Sequence, residues 1–278
     1  MNQIKLRQQL EQFFIEDIGD RDITTDSIFP KEKIGEIVFL SKANGIFCGA
    51  DIIEQGFHIL DHSIKVNIHV QDGQKLEAGE TIATVSGNIS NLLKGERVIL
   101  NLIQRMSGIA TITNKAVETL NSGYTKICDT RKTTPGLRML EKYAVTVGGG
   151  FNHRFGLYDA VMIKDNHIAF AGSITEAVRI VKNSIGHMVK VEVETESVEQ
   201  MIEALAAGAD VIMFDNRKPK EIAEWITHVP ETVTTEASGG ITLDNLASYK
   251  NCGVDYISLG FLTHSAQALD ISVKVKLD

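Results

Sequence analysis

The chain has 278 residues, of which 43% are hydrophobic and 23% charged, a composition ordinary for a soluble globular protein. Its net charge of -8 argues against a general nucleic-acid binder, and no apolar run approaches the roughly 20 residues that span a bilayer. The amino terminus has no apolar signal segment and the three cysteines have no paired spacing, so we expect a reduced, cytoplasmic protein.

The first part of the chain has the pattern of a mixed α/β module. Apolar residues from Leu6 to Phe14 recur at helical spacing, and Gly19 is placed to end that helix. Residues 36–40 and 64–68 have the composition of β-strands, and glycine-rich turns surround them. These signals predict a separate N-terminal module that contains both helices and strands.

A long helical pattern, from about residue 91 to about residue 121, connects this module to the rest of the chain. Six short apolar or β-branched runs then alternate with helical segments. The runs are residues 126–129, 160–163, 189–193, 211–214, 233–236 and 256–259. Such alternation predicts a buried parallel sheet. Because no Gly-x-Gly-x-x-Gly follows the first run, a βα barrel is favoured over a Rossmann sheet.

A helix is also predicted between the first two runs. Thr134 has the residue type of an N-cap, Pro135 suits the first helical position, and Gly148 is placed to end the helix. Arg138 could face a ligand, but it could equally pair with Glu141 on the same helix surface. We therefore leave Arg138 outside the predicted site.

Polar or glycine residues follow every predicted strand at the end where a βα barrel has its active site. Between Lys126 and Lys164 there are seven basic and three acidic residues, a surplus of +4 in an acidic chain. Arginine has a planar fork of donors that matches a carboxylate or phosphate, whereas lysine supplies a point charge. The pattern predicts a pocket for a small, multiply anionic ligand. Its cationic or potentially cationic residues are Arg131, Lys132, His153, Arg154 and Lys164.

Two acidic residues, Glu194 and Asp215, end the third and fourth strands and add carboxylates to this cationic site. Carboxylates there can hold ribose hydroxyls, bind a divalent cation through water, or stabilise a developing positive charge. Glu192 is two residues from Glu194 and points to the same side of the strand. The sequence leaves both open as the closer contact, although Glu194 lies nearer the strand end.

The last two strands are followed by residues suited to a phosphate. Ser238, Gly239 and Gly240 follow the fifth strand, and Gly260 follows the sixth. Glycine lets main-chain N–H groups approach an anion, and a helix predicted to begin at Thr242 would add its N-terminal dipole. This end of the barrel is therefore the predicted phosphate site.

Two motifs in the barrel region closely resemble quinolinate phosphoribosyltransferases. They are Asp129-Thr-Arg-Lys-Thr-Thr-Pro-Gly-Leu-Arg138 and the block from Gly148 to Ile168, and the resemblance extends over essentially the whole chain. It implies an N-terminal α/β sandwich domain over residues 1–110. It also implies a C-terminal open, mostly parallel α/β barrel of six to seven strands over residues 111–265. Residues 266–278 are expected to pack back on the N-terminal domain.

The resemblance also implies a reaction. The phosphoribosyl group of phosphoribosyl pyrophosphate would be transferred to quinolinate, with release of pyrophosphate and carbon dioxide. The product would be nicotinate mononucleotide, on the de novo route to NAD. The implied cofactor is Mg²⁺, and the implied assembly is a homodimer whose active sites are shared across the interface, with further assembly left open. No nucleic-acid or membrane partner is expected.

Site roles follow from the same resemblance, position by position. The residues implied to bind quinolinate are Arg97 of the partner subunit, Arg131, Lys132, His153, Arg154 and Lys164. The residues implied to bind phosphoribosyl pyrophosphate are Lys132, Glu194, Asp215, Ser238, Gly239, Gly240 and Gly260. The implied catalytic residues are Lys132, Glu194 and Asp215, and the two acids would also hold Mg²⁺ through water.

The residues themselves are consistent with this chemistry. Quinolinate carries two carboxylates, which would account for several cations, and loss of pyrophosphate leaves positive charge on the ribose that Glu194 and Asp215 could stabilise. Two alternatives remain open. A related phosphoribosyltransferase acting on nicotinate would need fewer cations, and a non-catalytic anion-binding protein would avoid the two acids.

Overall fold

The computed structural model describes residues 1–30 and 32–276, which form two compact units. The first unit contains residues 1–112, residues 139–148 and the chain from residue 266 onward, and the remainder forms the second unit. The sequence prediction had placed residues 139–148 in the barrel domain, whereas they cluster with the first unit. Residues 277 and 278 of the predicted C-terminal segment lie outside the described residues.

Strands and helices follow one another along the chain as follows. The strands are β1 (Ile34–Ser41), β2 (Gly45–Ile46), β3 (Lys65–Ile68), β4 (Lys75–Leu76), β5 (Thr81–Asn88), β6 (Lys126–Cys128), β7 (Val161–Ile163), β8 (Val191–Thr195), β9 (Val211–Asp215), β10 (Thr234–Ser238), β11 (Tyr256–Ser258) and β12 (Ile271–Lys276). The α-helices are α1 (Gln3–Ile18), α2 (Ile23–Ile28), α3 (Ala50–Leu60), α4 (Ile89–Leu120), α5 (Arg138–Val147), α6 (Asp165–Ala171), α7 (Ile174–Ser184), α8 (Val198–Ala206), α9 (Pro219–Trp225), α10 (Leu243–Leu246) and α11 (Phe261–His264). The 3₁₀ helices are Ile226–His228 and Ala247–Tyr249.

The first unit is built on an antiparallel sheet with the strand order β12-β1-β5-β3, and β2 and β4 form a separate two-stranded sheet. Burial alternates along β1, where Ile37 and Phe39 are buried, as expected for a strand with one face on the core. Helix α3 contributes buried Ile52, Ile53 and Phe57 to the apolar interior of this unit. This mixed α/β module agrees with the predicted fold class.

Helix α5 is anchored in the first unit by two polar contacts. The Tyr143 hydroxyl donates a hydrogen bond to Asp72 Oδ2 at 2.8 Å, while Asp72 Oδ1 accepts the Gly49 N–H at the start of α3. Burial, followed by the hydrogen bond to Asp72, raises the pKa of the Tyr143 hydroxyl well above its usual value. The Arg105 guanidinium lies 2.5 Å from the buried Glu141 carboxylate. These partners are 36 or more residues from α5, so they left no local signal in its sequence.

The start of α5 differs from the prediction. Thr134 and Pro135 were expected to cap the helix, but they belong to a turn in which the Leu137 N–H bonds to the Thr134 carbonyl oxygen. Gly136 has a φ of 84°, in the left-handed region, which an α-helix cannot include. The helix therefore begins at Arg138, after the glycine.

The second unit is a parallel six-stranded sheet with the order β6-β11-β10-β9-β8-β7. This order is that of a βα barrel with one gap, because β6 and β7 are the edge strands and do not pair. In a closed barrel the crossover after the first strand packs beside the second strand. In this protein the first strand, β6, is followed by helix α5, and residues 139–148 of that helix region cluster with the first unit. The predicted open α/β barrel is thus confirmed.

Candidate active site

The carboxyl ends of the six parallel strands carry the functional side chains of the second unit. Glu194, Asp215 and Ser238 lie at or next to the last residues of β8, β9 and β10, and Lys164 directly follows β7. Neighbouring parallel strands end at the same edge of a sheet, so their terminal side chains converge. The sequence therefore places these chemically different residues around one opening.

That opening is a cavity of about 600 Å³. The residues that line it are Thr130, Arg131, Lys132, His153, Arg154, Met162, Lys164, Glu194, Met213, Asp215, Asn216, Glu236, Ser238, Gly239, Gly240 and Ser258. All of them belong to the second unit. Ten of the twelve predicted site residues are in this set, and the two outside it are Arg97 and Gly260.

The loop that carries Arg131 and Lys132 is fixed by main-chain contacts. The Lys132 N–H donates to Thr130 Oγ1 at 3.0 Å, and the buried Thr263 hydroxyl donates to the Lys132 carbonyl oxygen at 2.7 Å. The first partner lies on the loop, and the second comes from α11, 131 residues away. The main chain of Lys132 is therefore fixed at both its N–H and its carbonyl oxygen, and its side chain extends from there into the cavity.

Arg138, which was left outside the predicted site, joins two of its loops. Its Nε donates to Thr133 Oγ1 at 2.9 Å, and its Nη1 donates to the Phe155 carbonyl oxygen at 3.0 Å. The sequence had left pairing with Glu141 open as an alternative, and in the structure Glu141 is engaged by Arg105. Arg138 therefore links the loop of Arg131 to the loop that follows Arg154.

Arg154 is half-buried, and part of its guanidinium is committed to the protein. Nη1 donates to the Ala160 carbonyl oxygen at 2.9 Å, which fixes the plane of the fork. Burial, and after it the positive charge of Arg131, lowers the pKa of the Arg154 guanidinium from its usual value. Two guanidinium groups that repel each other across a cavity favour a ligand with more than one negative charge.

A cation and two acids face the cavity from β7, β8 and β9. Lys164 Nζ forms an ion pair with the Glu194 carboxylate. Burial, followed by the negative charge of Glu194, raises the pKa of the Asp215 carboxyl. The two acids therefore lie close enough to interact, and a bound cation would relieve their repulsion.

The predicted phosphate turn has the backbone that close approach to an anion requires. Gly239 has a φ of 81° and Gly240 a φ of 63°, and Asn216 beside them has a φ of 55°. A Cβ on Gly239 would overlap the Asn216 side-chain amide, so a larger residue would push this turn apart. The helix expected from Thr242 is only one α-turn, α10, followed by a 3₁₀ turn, so its dipole adds less than predicted.

The two predicted residues outside the cavity lining have different surroundings. Gly260 lies against the Lys132 side chain, since a Cβ there would meet Lys132 Cδ at 3.1 Å. It thereby leaves room for that lysine instead of lining the cavity. Arg97 is exposed on α4 in the first unit. Its role as a contribution from a partner subunit stays a prediction.

His153, which lines the cavity, forms a cluster with two buried acids, Glu192 and Glu236. Its Nε2 lies 3.0 Å from Glu192 Oε2 and 3.7 Å from Glu236 Oε2. Burial, and after it the negative charge of Glu192, raises the pKa of Glu236 to about 8. Glu192 and Glu194 do point to the same side of β8, but only Glu194 lines the cavity. Of the two, Glu194 is therefore placed to meet a ligand.

Several lining residues were missed by sequence reasoning, and a simple signal could have found four of them. Glu236, Ser258, Met213 and Met162 each precede a predicted site residue by two positions. Residues at i and i+2 of a strand face the same side, so the residue two before a strand-end ligand lines the same barrel interior. Thr130 and Asn216 lie in loops, where no such period applies.

Comparison with known protein families agrees with this architecture. The family model described as quinolinate phosphoribosyl transferase, C-terminal domain, matches residues 109–274. The model of the N-terminal domain of the same family matches residues 22–107. Together the two models match most of the chain.

Individual relatives are similar over most of their lengths. A probable nicotinate-nucleotide pyrophosphorylase [carboxylating] from Bacillus subtilis is 56% identical over 277 residues, which cover 100% of this chain and 96% of the relative. A mitochondrial quinolinate phosphoribosyltransferase [decarboxylating] from Nicotiana glauca is 39% identical, with coverage of 97% of this chain and 82% of the relative. The crystal structure of NadC from Streptococcus pyogenes superposes with a TM-score of 0.96 at 38% identity, covering 100% of this chain and 99% of that one.

Proposed function

The chain belongs to the quinolinate phosphoribosyltransferase family, and from this premise we propose how its cavity carries out the family's reaction. The protein transfers the phosphoribosyl group of phosphoribosyl pyrophosphate to quinolinate and decarboxylates the ring, giving nicotinate mononucleotide for NAD biosynthesis. One observation carries the assignment of the site. A single cavity brings together the two arginines, the two lysines and the acids Glu194 and Asp215.

Quinolinate binding is assigned to the cationic side of the cavity. Arg131 and Arg154 hold the two carboxylates of the substrate through their guanidinium forks, and Lys164 adds a third positive charge. Lys132 lines the same cavity and serves both quinolinate and pyrophosphate. The repulsion between the two arginines supports a dianionic substrate over a monoanionic one such as nicotinate.

The ribose and its phosphate occupy the opposite side. The main chain of Ser238, Gly239 and Gly240 accommodates the 5′-phosphate, while Glu194 and Asp215 face the ribose. When pyrophosphate leaves, positive charge develops at the ribose C1, and these two carboxylates stabilise it. The pyridine nitrogen then bonds to C1, and the positively charged ring accepts the electrons released when the adjacent carboxylate leaves as carbon dioxide. This chemistry requires no nucleophile from the enzyme.

Mg²⁺ is proposed as the cofactor, and the donors present suit it. Asp215 and Glu194 offer carboxylate oxygens, the hard ligands that Mg²⁺ prefers, and burial, followed by the negative charge of Glu194, raises the pKa of Asp215. Lys164 already pairs with Glu194, so Asp215 is the better-placed ligand, acting through water. Bound Mg²⁺ would neutralise charge on the departing pyrophosphate.

Replacing Asp215 with asparagine is expected to raise the Mg²⁺ concentration for half-maximal activity by about tenfold, because one charged ligand is lost. A Mg²⁺ titration of the initial rate measures this. Glu196→Gln is the matched control, because it also removes a negative charge that raises the pKa of Asp215. Glu196 is exposed after β8 and does not line the cavity, so its loss should leave the Mg²⁺ titration unchanged. An unchanged titration for the Asp215 variant would remove this residue from the metal's surroundings.

A homodimer in the cytoplasm is proposed as the working form. In the second unit, Leu157, Tyr158 and Phe170 are apolar yet 74%, 82% and 94% exposed, which suits a surface covered by another subunit. All three cysteines are buried thiols, in keeping with a reducing compartment. Within the described residues, none of the helices has both the length and the apolar character needed to cross a membrane.

The reaction is tested by incubating the protein with quinolinate, phosphoribosyl pyrophosphate and Mg²⁺. Carbon dioxide and nicotinate mononucleotide are expected in equal amounts, and omission of any one component should stop both. Nicotinate in place of quinolinate is the comparison substrate. Faster turnover of nicotinate, or nucleotide formed without carbon dioxide, would contradict the assignment.

A further inference from the structure

Asn216, which lines the cavity, has a main-chain conformation that is costly for a residue with a side chain. Its φ is 55°, and among the described residues the other non-glycine residue with a positive φ is Asn121, at 44°. Asn121 directly follows helix α4, and a left-handed residue commonly ends a helix. Asn216 directly follows strand β9, which has no such requirement. Backbone strain of this kind persists where the surroundings hold it, and it is concentrated at ligand sites.

Hydrogen bonds on both sides hold this conformation. The Asn216 N–H donates to the Ser238 carbonyl oxygen at 2.8 Å, so β9 stays attached to β10 one residue beyond its end. The Arg217 Nε donates to the Asp215 carbonyl oxygen at 3.0 Å. The Tyr249 hydroxyl donates to the Arg217 carbonyl oxygen at 3.1 Å. The main chain from Asp215 to Arg217 is therefore fixed, and the side chain of Asn216 extends from a fixed position.

The side-chain amide of Asn216 lies between Asp215 and the glycine turn. Its Nδ2 donates to Asp215 Oδ2 at 2.5 Å. A carboxylate with one oxygen held in this way presents its other oxygen, Oδ1, in a set direction. The amide oxygen faces Gly239, since a Cβ built on that glycine would overlap Asn216 Oδ1 and would lie 2.9 Å from the Asn216 main-chain nitrogen. One residue thus contacts the acid and packs against the turn.

These two neighbours of Asn216 have different tasks in the proposed reaction. Asp215 faces the ribose and Mg²⁺, whereas the turn at Gly239 receives the 5′-phosphate. Both bind one phosphoribosyl group, in which C1 and the phosphate are joined through a short covalent chain, so the acid and the turn must be correctly spaced at the same time. A misplacement of about 1 Å can cost about 100-fold in rate. The arginines assigned to quinolinate, Arg131 and Arg154, are carried by the chain between β6 and β7 instead.

We propose that Asn216 is a positioning residue for the phosphoribosyl group. Its amide orients the Asp215 carboxylate, and its left-handed main chain sets the distance between that acid and the phosphate turn at Gly239. Asn216 acts through these two neighbours, and its effect falls on phosphoribosyl pyrophosphate and not on quinolinate. The inference rests on the proposed function for the identity of the ligand.

Replacing Asn216 with glycine separates the amide from the backbone, because glycine adopts a positive φ freely but has no side chain. We expect KM for phosphoribosyl pyrophosphate to rise by about tenfold and KM for quinolinate to change by less than about twofold. The midpoint of thermal unfolding should change by less than about 3 °C. Calorimetric titration with phosphoribosyl pyrophosphate and Mg²⁺, without quinolinate, should show the same weakening and does not depend on turnover. An unchanged KM for phosphoribosyl pyrophosphate, or equal rises in both KM values, would overturn the proposal.

Asn121→Gly is the matched control, because it makes the same change at a left-handed asparagine that is exposed and does not line the cavity. Both KM values should equal those of the wild type. The same rise in KM for phosphoribosyl pyrophosphate in this control would contradict the role of Asn216. Failure of the proposed function gives a different result, since the wild type itself would then neither bind phosphoribosyl pyrophosphate nor form nicotinate mononucleotide.

Asn216→Asp tests the hydrogen-bond donor directly. Aspartate has nearly the same shape as asparagine and also tolerates a left-handed backbone, but it replaces the donor with a second carboxylate beside Asp215. We expect KM for phosphoribosyl pyrophosphate to rise above that of the glycine variant, with KM for quinolinate changed by less than about twofold. A wild-type KM for phosphoribosyl pyrophosphate would show that no donor is needed and would overturn the proposal. If the glycine variant fails to fold, the aspartate variant decides by the same comparison with the wild type.

Discussion

Replacing Arg131 with alanine is expected to lower kcat/KM for quinolinate by about 30- to 1000-fold. The removed guanidinium would forfeit about 2–4 kcal/mol of charge-assisted hydrogen bonding to one substrate carboxylate. Arg131 lines the cavity on a loop anchored at Thr130, Thr263 and Arg138, so the fork is presented from a fixed main chain. The loss should fall on quinolinate, with affinity for phosphoribosyl pyrophosphate changed by less than about threefold.

Calorimetric titration of each substrate measures this difference for the Arg131 variant. Arg131→Lys separates charge from geometry, because lysine keeps the positive charge but loses the fork, and it should recover only part of the affinity. Lys218→Ala is the control for a general loss of positive charge, since Lys218 follows β9, is exposed and does not line the cavity. Equal loss of affinity for both substrates would contradict the assigned role of Arg131.

Mixing an Arg97→Ala subunit with a Lys164→Ala subunit is expected to restore activity that neither variant has alone. If Arg97 completes the site of the partner, a mixed dimer has one site with both defects and one with neither. Random exchange of subunits then gives about a quarter of the wild-type activity. The initial rate is measured after subunit exchange, with mixed dimers verified by two different affinity tags.

The control for this complementation pairs Arg131→Ala with Lys164→Ala. Both residues line the cavity of their own second unit, so each site of the mixed dimer keeps one defect and no activity should return. Rescue by the first pair and not by the second supports a site shared across the dimer. Verified mixed dimers without rescue in the first pair would assign Arg97 to its own chain or to no site at all.

Much of the site was predictable because strand ends in a βα barrel converge. Once six apolar runs alternating with helices indicated a parallel sheet, the residues after each run, such as Lys164 and Asp215, had to share one opening. Because residues i and i+2 of a strand face the same side, Glu236 and Ser258 could also have been predicted to line the cavity from Ser238 and Gly260. Positions determined by strand period and chain order are thus readable from the sequence.

Three features were decided only by the tertiary structure. Helix α5 begins after Gly136 and is anchored in the first unit through Asp72 and Arg105, partners more than 30 residues away. Arg138 holds two loops instead of pairing along its helix. The family resemblance implied an open barrel, but only the sheet order shows that β6 and β7 are its edge strands.

His153 shows the physical reason for this division most clearly. The sequence by itself determined that the strand ends carry two arginines, two lysines, a histidine and several acids, and that they meet in one pocket. The surroundings of the histidine include Glu192 and Glu236, which are 39 and 83 residues further along the chain. Hydrogen-bond partners and burial exist only once distant strands have come together, so the sequence alone did not assign these partners.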